Sequence, residues 1–338
     1  MVGMTGSLRA PAAEGEWRPQ GPYSLPQTLG VVQRGTHDPT IRVAGPAAWL
    51  CFRHDGGPVT LRLDLASARG STTEPVPAVL RWRAWGEGAQ HAGFADAVVR
   101  LAGGDDDWAE FDAADFAASL PPRVRRARRD HPGLRLPATG RVFDALMPAV
   151  LEQKVTTIEA LFAWRYIAGR FGDEPPSPAV AHGGDSVLPE GMRLPPTPHQ
   201  LRRIPSWDWH AARVDSARSR TLLRAAESAP GLARLAEQKL EARPGVALQS
   251  LPGIGPWTAA EVLQRSHGDP DSVSVGDYHL AGFVGEALTG KRTDDAGMLD
   301  LLRPWHGHRQ RVVRLLAASG FRKQARGPRL APRDYRRI

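Results

Sequence analysis

The sequence contains a single cysteine, Cys51, in 338 residues. One thiol rules out an internal disulfide framework, a cysteine-rich zinc site and an iron–sulfur cluster, and it suits a reducing compartment. No apolar run reaches the ~18 residues that a membrane span needs. Met1–Gln20 lacks a basic stretch leading into an apolar core, so it does not read as a secretory signal. Lysine is missing from residues 1–118, where 10 Arg stand against 14 Asp and Glu. These absences set the expectation of a cytoplasmic protein (nucleoid-associated in a bacterium) without a membrane partner; a monomer is expected as well.

What is present is ordinary for a folded chain: 41% hydrophobic and 24% charged residues, in a length sufficient for two domains. The net charge is +8 but uneven. Residues 1–118 carry −4, which leaves +12 on the remainder. A basic half of this kind points to a polyanionic partner, although an arginine-rich solvated surface gives the same count.

Residues 1–20 read as a flexible lead. Residues 21–118 read as a small α+β domain with short strand-like stretches, Ala48–Arg53 and Val59–Leu65. In the second, Leu61, Leu63 and Leu65 alternate with Arg62 and Asp64, and Gly56-Gly57-Pro58 between the two stretches marks a hairpin. Ala97–Gly103 fits a strand or a short helix. Past the basic cluster Arg123–Arg129 the pattern turns mainly helical, over residues 119–320. Arg141–Val155 has a helical apolar rhythm with Pro148 as a kink. Thr156 or Thr157 caps the next helix, which stops at Gly172. The Pro- and Gly-rich residues 173–198 form a loop. Residues 321–338 form a tail with seven basic residues and one acid, Asp334.

The most informative stretch is Leu248–Gln264, LQSLPGIGPWTAAEVLQ. A short amphipathic helix runs into Leu251-Pro252-Gly253-Ile254-Gly255 and directly into a second helix. Glycines allow a tight turn and close backbone approach, and Ile254 can plug the apolar gap between the helices. The turn and the second helix then present N–H groups suited to a phosphate, without sequence readout. Beyond it, in Val273–Leu288, Asp277 stands where a polar loop meets an amphipathic helix. Asp at that place is a common helix cap. It is also where a carboxylate could support a cationic sugar during glycoside cleavage. Spacing alone leaves both roles open.

PGIG-x-WTA followed by a loop and Gly276-Asp277-Tyr278 resembles the helix-hairpin-helix DNA glycosylases, closest to the 3-methyladenine DNA glycosylase II branch. His131–Thr156 resembles that branch's entry into the helical domain, and Leu301–Gly320 its closing helix. The resemblance spans residues 119–320 and implies an α+β amino-terminal domain followed by a helical glycosylase domain of two lobes. It implies Asp277 as the catalytic carboxylate and a DNA phosphate at Gly253, Ile254, Gly255 and Thr258. It implies a base-intruding loop at Gln153 or Lys154. No cofactor is required, but a sodium or potassium ion on the carbonyls of Gln249, Leu251 and Ile254 fits the family.

Trp257 stands where relatives that also cut the strand carry a Schiff-base lysine, so base removal alone is expected. The base pocket falls to Trp257, Tyr278, Glu261 and Arg314. The last two replace aromatic residues of the branch, with Trp207, Trp209 or Trp305 as possible substitutes for them. Glu261 is the candidate acid if an uncharged base must be protonated. The implied activity is a monofunctional DNA glycosylase of base excision repair that flips an alkylated purine from duplex DNA. Two alternatives stay open: a glycosylase for oxidised or bulky-alkylated bases, and a helix-hairpin-helix protein that binds distorted DNA without catalysis.

Overall fold

The computed structural model describes residues 10–66, 78–178 and 187–323. Strands β1 (Ala13–Trp17), β2 (Ile41–Ala44), β3 (Ala47–His54), β4 (Gly57–Ala66) and β5 (Val79–Trp85) form one antiparallel sheet in the order β1-β5-β4-β3-β2. The β3–β4 hairpin forms where expected, with His54 opposite Gly57. Its turn residues, Asp55 and Gly56, both take positive φ, 48° and 80°. Such a turn matches the right-handed twist of the strands.

β3 is buried on both faces. Ala48, Leu50 and Phe52 join Leu61, Leu63, Phe94 and Val98 in one apolar cluster. Trp49 and Cys51 pack with Trp85, Met192 and Leu194 on the other side. Burial pushes the Cys51 thiol up to about 12. Ala97–Gly103 contributes to a helix, Phe94–Leu101, not to a strand.

The expected flexible lead requires correction. Residues 13–17 form an edge strand on β5, with Glu14 and Glu16 exposed. The strand has room because Gly15 lies against Trp82, whose indole would be 2.6 Å from a Cβ placed there. A pentapeptide with a central glycine gives little strand signal, and a tryptophan far along the chain supplies the packing. Residues 1–9 and the tail from 324 lie outside the described residues.

The remainder is helical. Helix Val142–Leu151 runs through Pro148, and helix Thr157–Phe171 begins at a capping box in which Thr156, not Thr157, exchanges bonds with Glu159. Two apolar clusters organise this part. One gathers residues between Val142 and Leu263 around Leu146, Trp164, Ile254 and Val262. The other joins Trp108, Phe111 and Val124 to Val284, Leu302 and Leu315. A buried Asp106 reinforces the second by accepting from Arg311, from the Trp108 indole at 2.6 Å and from the Leu136 N–H at 2.7 Å.

Candidate active site

The hairpin helices run Pro244–Gln249 and Pro256–Ser266, joined by the turn that was read from the sequence. Ile254 is buried in the apolar cluster with Leu248, Ala259 and Val262, so it can meet a ligand only through its backbone. The two glycines do different work. Gly253 has φ +96°, and a Cβ there would lie 2.2 Å from Thr221 Oγ1. Gly255 is extended, with no atom within 4 Å of a Cβ. Gly253→Ala should therefore cost about 1–2 kcal/mol from backbone strain alone, plus the collision with Thr221. Thermal unfolding and DNA-binding anisotropy should both register it. Gly255→Ala should keep its melting temperature, so any loss of DNA binding there reports close approach of the phosphate to the backbone.

At the end of the second hairpin helix nearest the turn, Trp257 Nε1 lies 3.4 Å from Asp277 Oδ2. The other oxygen, Oδ1, accepts the N–H groups of His279 and Leu280 at 2.7 and 2.8 Å. These bonds start helix Leu280–Thr289, three residues after the start read from the sequence. Asp277 is thus a cap through one oxygen, while the second stands beside the indole. The two sequence readings of this residue do not exclude each other.

Glu261, one turn further along the same helix, has a different setting from the one expected. Its carboxylate takes a 2.8 Å bond from Arg265 Nη1 and a 2.6 Å bond from Ser274 Oγ, and Arg34 Nη1 lies 3.9 Å away. Arg34 in turn donates to both oxygens of Glu152 at 2.7 and 2.9 Å. Burial raises the pKa of Glu261, but Arg265, Arg34 and Ser274 together outweigh burial and hold it below its usual value. A carboxyl kept ionised in this way has no proton to give a departing base. The candidate acid is instead a structural anion.

Arg314 lies on helix Arg309–Ala318 and donates from Nη2 to the Gln27 carbonyl at 2.8 Å. Tyr278 is 83% exposed, with its ring edge-on to His279, so no closed pocket holds it. Trp209 and Trp305 are buried, the latter donating to Ser119 Oγ, and Trp207 faces solvent.

The loop expected to intrude on the duplex is a tight turn after Leu151. Lys154 is exposed with φ +54°, a left-handed conformation uncommon for a side-chain-bearing residue. Gln153 is directed elsewhere: its amide donates to the Gly253 carbonyl at 2.9 Å and to Thr258 Oγ1 at 2.8 Å. The Thr258 hydroxyl is buried and accepts this bond from Gln153, which leaves its own proton free to donate. Of the three carbonyls implied for a cation, that of Leu251 accepts the Ile254 N–H at 3.0 Å. The donor set is uncharged carbonyl oxygen, which suits a monovalent ion better than a divalent one. Among the described residues no cluster of His, Cys, Asp or Glu is placed to hold a metal. No helix among them is long and apolar enough to cross a membrane.

No family model matches the chain. A curated relative from Mycobacterium tuberculosis, "Probable bifunctional transcriptional activator/DNA repair enzyme AlkA", is 30% identical over 171 residues, covering 48% of this chain. The chain spans only about a third of that relative, 31% of its length. The solved 3-methyladenine DNA glycosylase from Archaeoglobus fulgidus superposes with a TM-score of 0.69 at 16% identity, over 91% of this chain and 99% of the other. The 8-oxoguanine glycosylase/lyase of Clostridium acetobutylicum gives 0.61 at 11% identity, over 92% and 98%. The chain has the helix-hairpin-helix DNA glycosylase fold.

Within that glycosylase fold, Arg34, Glu152 and Arg265 went unread as site residues. The Glu261–Arg265 pair was available in principle, since opposite charges four apart on a helix face one another. Arg34 carries no such signal, because it reaches Glu152 across a sequence separation of 118 residues.

Proposed function

We propose that the chain is a monofunctional DNA glycosylase that extrudes a modified purine, alkylated in the leading case, and hydrolyses its N-glycosidic bond. The observation that carries this reading is the divided carboxylate of Asp277, with one oxygen fixing the helix start and the other beside Trp257 at the hairpin. The hairpin turn and the first N–H groups of its second helix hold a DNA phosphate through Gly253, Ile254, Gly255 and Thr258. A sodium or potassium ion on the carbonyls of Gln249, Leu251 and Ile254 would stiffen that turn. Lys154, at the exposed tip of its turn, is the residue that enters the gap left by the base, and its methylenes can fill space while the ammonium reaches a phosphate.

Asp277 stabilises positive charge developing at C1′ as the bond to the base lengthens, and then orients the water that attacks there. Trp257 has no amine to form an imine with the sugar, so the product is an intact strand with an abasic site. The two apolar clusters of the helical part support a two-lobed glycosylase domain, with duplex DNA held by the basic portion after residue 118.

The test is mass-spectrometric detection of bases released from duplexes that carry single lesions, run beside strand analysis with and without alkali. Released base with cleavage only after alkali is the expected result. Cleavage without alkali would contradict monofunctional action, and intact base in every duplex would favour a binding protein. Binding should also weaken steeply between low and physiological salt, because phosphate contacts dominate it.

A further inference from the structure

One half-buried arginine lacks a counter-charge among the described residues. Arg34 and Arg265 share Glu152 and Glu261 between them. Arg314 has no ion pair among the described residues, only the Gln27 carbonyl on Nη2. Its Nε is buried without a hydrogen-bond partner among those residues, as are Nε and Nη2 of Arg34. Burial, then the nearby Arg265, lowers its pKa to about 10, which leaves it charged at neutral pH. A buried N–H left unused in this way is costly unless something with acceptor atoms arrives.

The position suggests what arrives. Asp277 touches Trp257, with Glu261 one turn on, and it starts helix Leu280–Thr289, against which helix Arg309–Ala318, the carrier of Arg314, packs through Val284 and Leu315. A base brought to Asp277 along this helix face would meet guanidinium donors in place of aromatic faces. We propose that Arg314 is a specificity-determining residue that donates to an acceptor on the edge of a neutral modified purine, and that it disfavours purines carrying a positive charge. This rests on the base-excision reading above and names the substrate class within it.

The chemistry is consistent with such a choice. When the C1′–N9 bond breaks, its electron pair leaves with the base. A cationic purine becomes neutral and needs no help, whereas a neutral purine departs as an anion. A guanidinium donor stabilises that anion until it takes a proton from water, while the attacking water delivers hydroxyl to C1′ and its proton to solvent by way of Asp277.

The experiment compares two neutral lesions with N7 free, hypoxanthine and 1,N6-ethenoadenine, with two cationic ones, 7-methylguanine and 3-methyladenine, each in the same duplex. Single-turnover base release is divided by the spontaneous rate for each lesion, because cationic bases fall off unaided. The wild type should accelerate the neutral pair more. Arg314→Met should lose about tenfold or more on the neutral pair, with no loss on the cationic pair, and Arg314→Lys should fall between. An equal or greater wild-type acceleration of the cationic bases overturns the proposal, whether or not either variant folds. So does a parallel loss on all four lesions in a folded Arg314→Met. No release from any of the four duplexes by protein that binds them would instead sink the base-excision reading itself.

Discussion

Asp277→Asn should bind lesion-bearing duplex as the wild type does and release base more slowly by about a thousandfold. The asparagine keeps an oxygen for the His279 and Leu280 N–H groups, so helix Leu280–Thr289 should still start correctly. What is lost is the negative charge that supports the sugar cation. Asp277→Ala removes the cap as well, and should cost about 1 kcal/mol of stability on top of the same loss of rate. Single-turnover base release with anisotropy and thermal unfolding on all three proteins separates the two roles of this carboxylate. Base release by Asp277→Asn within a few fold of wild type would remove the residue from the mechanism.

The largest effect on stability is expected at Glu261. Replacing it with Gln leaves Arg265 and Arg34, 11% and 8% exposed at their side chains, without a carboxylate they now share. Removing one partner from a buried ion pair costs about 3–5 kcal/mol. Chemical denaturation should show a lower midpoint with an unchanged slope. The pH dependence has a definite sign. The pKa of Glu261 is lower in the folded chain than in the unfolded one, so its contribution is full above the usual glutamate range. That contribution disappears as pH falls through the folded value. Wild type and Glu261→Gln should therefore converge in stability as the medium is acidified below about pH 4. A constant gap between them down to low pH would show that Glu261 does not act through its charge.

Much of the fold was legible because local chemistry and tertiary outcome agree. The Leu61–Leu63 alternation, the Gly56 turn and the Thr156 capping box each form nearly where their residues suggest. The hairpin was legible for the same reason: its turn chemistry is contained within a few consecutive residues. What was not legible depends on partners distant in sequence. β1 forms because Trp82 covers Gly15, and Gln153 turns toward Gly253 and Thr258 instead of facing open solvent. Glu261 looked like a proton donor because its position on the helix was visible and Arg34 was not. Charge at a site is set by everything that folds against it, and a linear motif shows only its own share.

The lone cysteine bears on how such a protein would fare under the damage it is proposed to repair. Electrophiles that alkylate purines also attack thiolates. Cys51 is 2% exposed behind Trp49 and Trp85 in the middle of the sheet, and its thiol is pushed up to about 12. Near neutral pH the buried thiol stays protonated and little of the reactive thiolate is present. A cell under attack by alkylating agents could therefore keep this protein working while more exposed thiols around it are consumed.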